Sequence, residues 1–160
     1  MRPLLVASLA GLALVACSSE PDGPAGPAPA PEPAPSLAGV DLSRPVRLLG
    51  TEPFWGIDLT GSEIVYAGAD RPEQRGPQPE PTLQGTVATF ETTTTAGTPI
   101  AITLTATECS DGMSDRTYPL TALVQVGEES LMGCAASTSA IMSVGESGRV
   151  VDPPAAQPAV

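Results

Sequence analysis

The chain has 160 residues, a formal net charge of -11, 19 prolines and 16 glycines, but one Trp, two Tyr and two Phe. It contains no His, Lys or Asn, and all seven basic residues are Arg. That removes Ser-His-Asp and Cys-His catalysis, the Schiff-base and Ser-Lys alternatives, and the basic patch that nucleic-acid binding needs. The acidity also opposes docking on anionic lipid and favours solubility.

In chain order, residues 1–17 read MRPLLVASLAGLALVAC. One Arg precedes an apolar run shorter than the roughly 20 residues of a membrane span, which is the layout of a secretory signal peptide. Leu14-Val15-Ala16-Cys17 resembles the bacterial lipobox. The resemblance implies removal of residues 1–16, lipidation of Cys17 and a membrane anchor of two or three acyl chains. It places the protein in the cell envelope. Ser18 after the cysteine favours the outer membrane, facing the periplasm, if the source is Gram-negative. An ordinary cleaved signal with a chance cysteine is the alternative.

Residues 17–41 follow as the lipidated Cys and a Pro/Ala-rich linker, with seven prolines between residues 18 and 40. Such spacing blocks helix and sheet and favours an extended spacer; a PxxP ligand is the other reading. Residues 146–160 read as a disordered tail.

Between them, residues 42–145 alternate short β-prone runs with turn residues. Strands are expected at Val46-Leu49, Phe54-Leu59, Glu63-Ala67, Gly85-Phe90, Ile100-Thr107, Leu120-Val126, Ser130-Ala135 and Ala140-Val144. By the period of two, Phe54, Gly56 and Asp58 share one face, while Trp55, Ile57 and Leu59 share the other and are expected in the core. Thr92-Thr95 is expected in a loop. The expected fold is all-β, a small antiparallel β-barrel or sandwich of about seven to eight short strands. Cys109 and Cys134 remain once Cys17 is lipidated. In an oxidising compartment they are expected to form one disulfide; with no CxxC pair, a structural role outweighs a redox one.

GTEPFW (Gly50–Trp55), CSDGMSDRTYP (Cys109–Pro119) and GCA (Gly133–Ala135) together resemble a group of uncharacterised bacterial envelope lipoproteins, whose domains occur with or beside META domains. The resemblance spans residues 48–135. It implies the domain and its compartment, and no activity.

Asp111-Gly112 suits a tight turn, and Tyr118 before Pro119 should be extended. Tied by Cys109, this segment should be a rigid loop. Asp111, Asp115, Arg116 and Tyr118, with Glu52 and Trp55, are the candidate binding residues, and the alternative is that they only build the loop. Arg116 and Tyr118 are expected to matter more for binding than for folding. A calcium site at Glu108, Asp111 and Asp115 and a glycosidic carboxylate pair lack supporting spacing. No cofactor or metal, no catalysis and no nucleic acid are expected. The expected function is a lipid-anchored, non-catalytic binding domain whose partner is an envelope protein or peptidoglycan. The alternatives are an inhibitor of c-type lysozyme, by analogy of architecture, and a structural or stress-related envelope protein.

Overall fold

The computed structural model describes residues 33–152. The expected signal peptide, Cys17, the linker up to residue 32 and the tail from residue 153 lie outside the described residues. Chain order is β1 (Ser36–Leu37), β2 (Val40–Asp41), β3 (Val46–Thr51), β4 (Phe54–Leu59), β5 (Glu63–Gly68), β6 (Arg71–Pro77), β7 (Thr82–Gln84), β8 (Val87–Thr93), β9 (Pro99–Thr105), β10 (Asp115–Thr117), β11 (Leu120–Val126), β12 (Glu129–Ser137), α1 (Thr138–Ser143) and β13 (Ser147–Arg149).

Nine strands form one antiparallel sheet in the order β6-β5-β4-β3-β12-β11-β9-β8-β7, curled into a half-barrel. Hairpin neighbours in sequence are neighbours in space, and the pairing of β12 with β3 joins the two meanders. The curl brings the lower part of β6 to the end of β8, where Thr95 N donates to Arg75 O at 2.8 Å and Thr92 Oγ1 to Pro77 O at 2.7 Å.

Strict alternation drives this arrangement. Val46 and Leu48, then Trp55, Ile57 and Leu59, then Ile64 and Tyr66 point inward and are buried. Phe90, Ile102, Leu104 and Val124 continue the same core around the curl. Each fully buried side chain of this size contributes about 1.5–3 kcal/mol. The β1–β2 hairpin adds Leu37, Val40 and Leu42 to that core. No helix among the described residues is long and apolar enough to cross a membrane.

Several expectations need correction. Ala140-Val144 is not a strand: Thr138–Ser143 forms α1, because Ser137 Oγ caps the first turn by accepting from Ala140 N at 3.1 Å. A short apolar run is ambiguous by period, and the Ser-Thr-Ser before it is the N-cap signal that decides. Residues 146–152 are not tail. β13 pairs in parallel with β10, Val150 is buried, and Asp152 Oδ1 accepts from Ser137 Oγ at 2.5 Å and Ser139 Oγ at 2.6 Å. The domain also begins before residue 42, with β1–β2. Thr92 and Thr93 end β8, and the turn starts only at Thr94, whose buried hydroxyl accepts from Thr98 N at 3.1 Å.

Candidate functional site

The barrel has a covered side. Along β12, Leu131 and Ala135 face the core, while Cys134 and Ala136 face outward yet are equally buried. Their cover is a second cluster of Tyr118, Ala140 and Val150, with Leu49, Cys109 and Ile141 packed at its edge. The segment between β9 and β11 folds back over the outer face of β12 to supply Cys109 and Tyr118, while α1 supplies Ala140 and Ile141 and Val150 follows β13.

Three ties fix this loop. Cys109 and Cys134 are disulfide-bonded, with Cα atoms 5.5 Å apart. Cys109 and Tyr118 close its neck, Cys109 N donating to Tyr118 O at 3.0 Å and Tyr118 N to Cys109 O at 2.8 Å. At its far side Thr51 Oγ1 donates to Asp111 O at 2.9 Å, joining the first two motif segments.

Inside the loop the Asp111 carboxylate organises the turn. Oδ1 accepts from Met113 N at 3.0 Å and Ser114 N at 2.8 Å, and Oδ2 accepts from Ser114 Oγ at 2.7 Å and Tyr118 OH at 3.1 Å. Burial alone would raise the Asp111 pKa, but these donors to the charged form outweigh it and hold the carboxyl below its ordinary value. Burial also pushes the Tyr118 phenol above its ordinary value, helped by its bond to Asp111.

Between this loop and the β3–β4 turn, which contains a cis Glu52–Pro53 peptide, lies a groove of about 700 Å³. Glu52, Phe54, Asp111, Met113, Thr121 and Met132 are among its lining residues. Phe54 is 56% exposed, and Met113 and Met132 are each 69% exposed. Leu123, 49% exposed, lies directly across from Met132 on β11 and extends the apolar surface.

Gly50 and Gly133 also line the groove, and the Trp55 indole packs against both. A Cβ on Gly50 would fall 2.0 Å from Trp55 Nε1; one on Gly133 would fall 2.0 Å from Leu49 O and 2.9 Å from Trp55 Cζ2. Only glycine permits this approach, which joins the GTEPFW and GCA segments in space.

Of the candidate residues, Glu52 and Asp111 line the groove. Trp55 is 5% exposed and sits in the core, with its Nε1 buried and making no hydrogen bond. Tyr118 is 1% exposed and belongs to the second cluster, so its place is that of scaffold. Arg116 braces the end of α1, with Nε donating to Gly145 O at 2.7 Å and a terminal nitrogen to Val144 O at 3.3 Å. Asp115 is exposed on β10, away from the groove lining. Of the three acids considered for calcium, Glu108 pairs with Arg149, Asp111 holds its own turn and Asp115 is exposed, and no three His, Cys, Asp or Glu among the described residues converge on a metal position.

Phe54, Met113, Met132 and Leu123 were missed as site residues. The period of two already placed Phe54 opposite Trp55; an aromatic side chain on the polar face of a half-buried strand was the available signal. For Met113 there was none, since its exposure depends on how the loop folds back. No protein-family model, no curated protein and no solved structure matches this chain.

Proposed function

We propose that the protein is a lipid-anchored component of the cell envelope whose β-domain binds another envelope component, without catalysis, in the groove between the β3–β4 turn and the disulfide-tied loop. The observation that carries this reading is the clustering of exposed apolar side chains. Phe54, Met113, Met132 and Leu123 are four of the seven large hydrophobic residues exposed in the described domain, and they adjoin one concave surface. Scattered single residues need no explanation, but a contiguous patch beside a groove marks an interaction site.

The frame around the patch is rigid, which lowers the ordering cost of binding. The lack of His and Lys supports a binding role over an enzymatic one, and the Leu14-Val15-Ala16-Cys17 sequence supports the anchor. The test is position-specific. A photo-crosslinking side chain is placed at Met113 or Met132 in the full chain in its native envelope, with a control at Val65 on β5. A discrete adduct from the groove positions, absent from the control and lost on Phe54→Asp, is expected. Equal adducts from groove and control would refute the reading.

A further inference from the structure

The charge around the groove selects the chemistry of its occupant. We propose that the groove and its Leu123 extension take a cationic polypeptide segment, one presenting an aliphatic or aromatic side chain flanked by Lys or Arg. This rests on the binding reading above and specifies the partner.

The groove lining includes two acidic residues, Glu52 and Asp111, and no basic residue; the Asp111 carboxylate bonds within its own loop, so Glu52 is the carboxylate open to an occupant. Of the six described arginines five are ion-paired, and Arg44, in the turn before β3, makes no ion pair and is not in the groove lining. Arg47 pairs with Asp58 at 2.5 Å, Arg116 with Glu146 at 3.4 Å, and Arg149 with Glu108. Arg71 pairs with Glu129, and Arg75 with Glu63 and Glu73. The overall charge of the chain is -11, so a basic partner is attracted on approach. Glu52 is exposed at its rim and has no ion-pair partner among the described residues.

The same charge argues against two other occupants. A second copy would bring an equally acidic surface to the patch, and like charges facing each other across an interface cost several kcal/mol. The chain's own residues 17–32 carry Glu20, Asp22 and Glu32 and no basic residue, so their charge offers no complement to an acidic groove. A basic partner gains attraction during approach, while the apolar anchor supplies close contact in the groove.

The single tryptophan makes the test label-free, because Trp55 lies against the groove-lining Gly50 and Gly133. The full chain in detergent is titrated with three short synthetic peptides: alternating Lys and Leu, alternating Glu and Leu, and alternating Lys and Ser. The Lys/Leu peptide should give a saturable change in Trp55 fluorescence. The other two should bind at least about tenfold more weakly, as loss of one good anchor or of charge attraction implies. Raising salt from about 0.01 M to about 1 M shortens the Debye length from about 30 Å to about 3 Å and should weaken binding steeply. Phe54→Ser and Met132→Gln should each weaken it about tenfold while leaving the melting temperature in place, since both side chains are exposed.

Equal binding of the Glu/Leu and Lys/Leu peptides overturns the proposal, as does binding unaffected by Phe54→Ser and Met132→Gln. A salt-stabilised dimer broken by the same two variants, seen by sedimentation, would assign the patch to a second copy and also overturn it. If no peptide binds while the groove-placed crosslinker still captures a partner, this inference falls and the binding reading stands. If the crosslinker also fails to distinguish groove from control, both fall.

Discussion

Gly50→Ala should destabilise the domain chiefly through Trp55. The new methyl group would lie 2.0 Å from Trp55 Nε1, 2.5 Å from Cε2 and 2.7 Å from Met132 O, where ordinary contact needs about 3.5 Å. The indole is 5% exposed and its same edge also lies close to Gly133, so it has little room to move. Overpacking of this kind costs about 1–3 kcal/mol, and a backbone oxygen on one side places Gly50→Ala at the upper end. In a domain of this size about 1 kcal/mol moves the melting temperature by about 4 °C, so a fall of about 8–12 °C is expected. Thermal and denaturant unfolding of the full chain, followed by circular dichroism, measures it. The cause is separated from a general strand effect by Trp55→Leu, which empties the space the methyl needs. The cost of Gly50→Ala in that background should shrink by at least about 1 kcal/mol, beyond the 0.3–0.5 kcal/mol scatter of independent sites. A melting shift below about 2 °C, or additive costs in the double variant, would refute the packing argument.

Replacing both Cys109 and Cys134 by Ser opens a loop with sequence separation 25, which the chain-entropy model values at about 3.5 kcal/mol; denaturant midpoints with and without the bond check it. Asp111→Asn should cost about 2 kcal/mol at neutral pH, since it weakens bonds to a charged acceptor. The Asp111 pKa is depressed in the fold, so its contribution is complete above the unfolded pKa of about 3.9 and is lost as pH falls through the folded value; the stability gap between wild type and variant should narrow below about pH 4. Tyr118→Ala empties a side chain that is 1% exposed and should lower melting by more than about 10 °C, at about 3 kcal/mol or more for a buried aromatic. Arg116→Ala removes a brace at the surface and should cost about 1 kcal/mol. Cys17→Ala should abolish incorporation of a fatty-acid label and release the protein from membranes; retained label would end the lipoprotein reading.

Strands that bury one face were legible because alternation is a local property. β3, β4, β5, β9, β11 and β12 fall within two residues of their expected bounds. β6 was not legible: Arg71–Pro77 reads RPEQRGP, with two prolines and no apolar alternation, and it is a strand because β5 offers it backbone partners along five positions. β10 and β13 are strands only because they meet each other. The disulfide followed from counting cysteines. Its consequence, a loop folded over the outer face of β12, did not, because it depends on a contact between Cys109 and Cys134 that no local pattern encodes.

Phe54 and Trp55 show how one motif serves two ends. They are consecutive on a strand and therefore point to opposite faces. Trp55 closes the core against two glycines, which fixes the β3–β4 turn, and the same geometry forces Phe54 out into the groove. On the facing side, the satisfied Asp111 network fixes the loop backbone and leaves Met113 projecting outward. Met113, Met132 and Met142 are all exposed, and among the described residues no methionine is in the buried core. Methionine is flexible and polarizable and adapts to differently shaped neighbours, whereas the frame beneath these side chains is held by a disulfide and tight packing. A site with a fixed frame and pliable tips discriminates poorly by the shape of the apolar anchor. On the proposed reading its selectivity comes from charge, with Glu52 at the rim and the overall charge of -11 opposing acidic candidates.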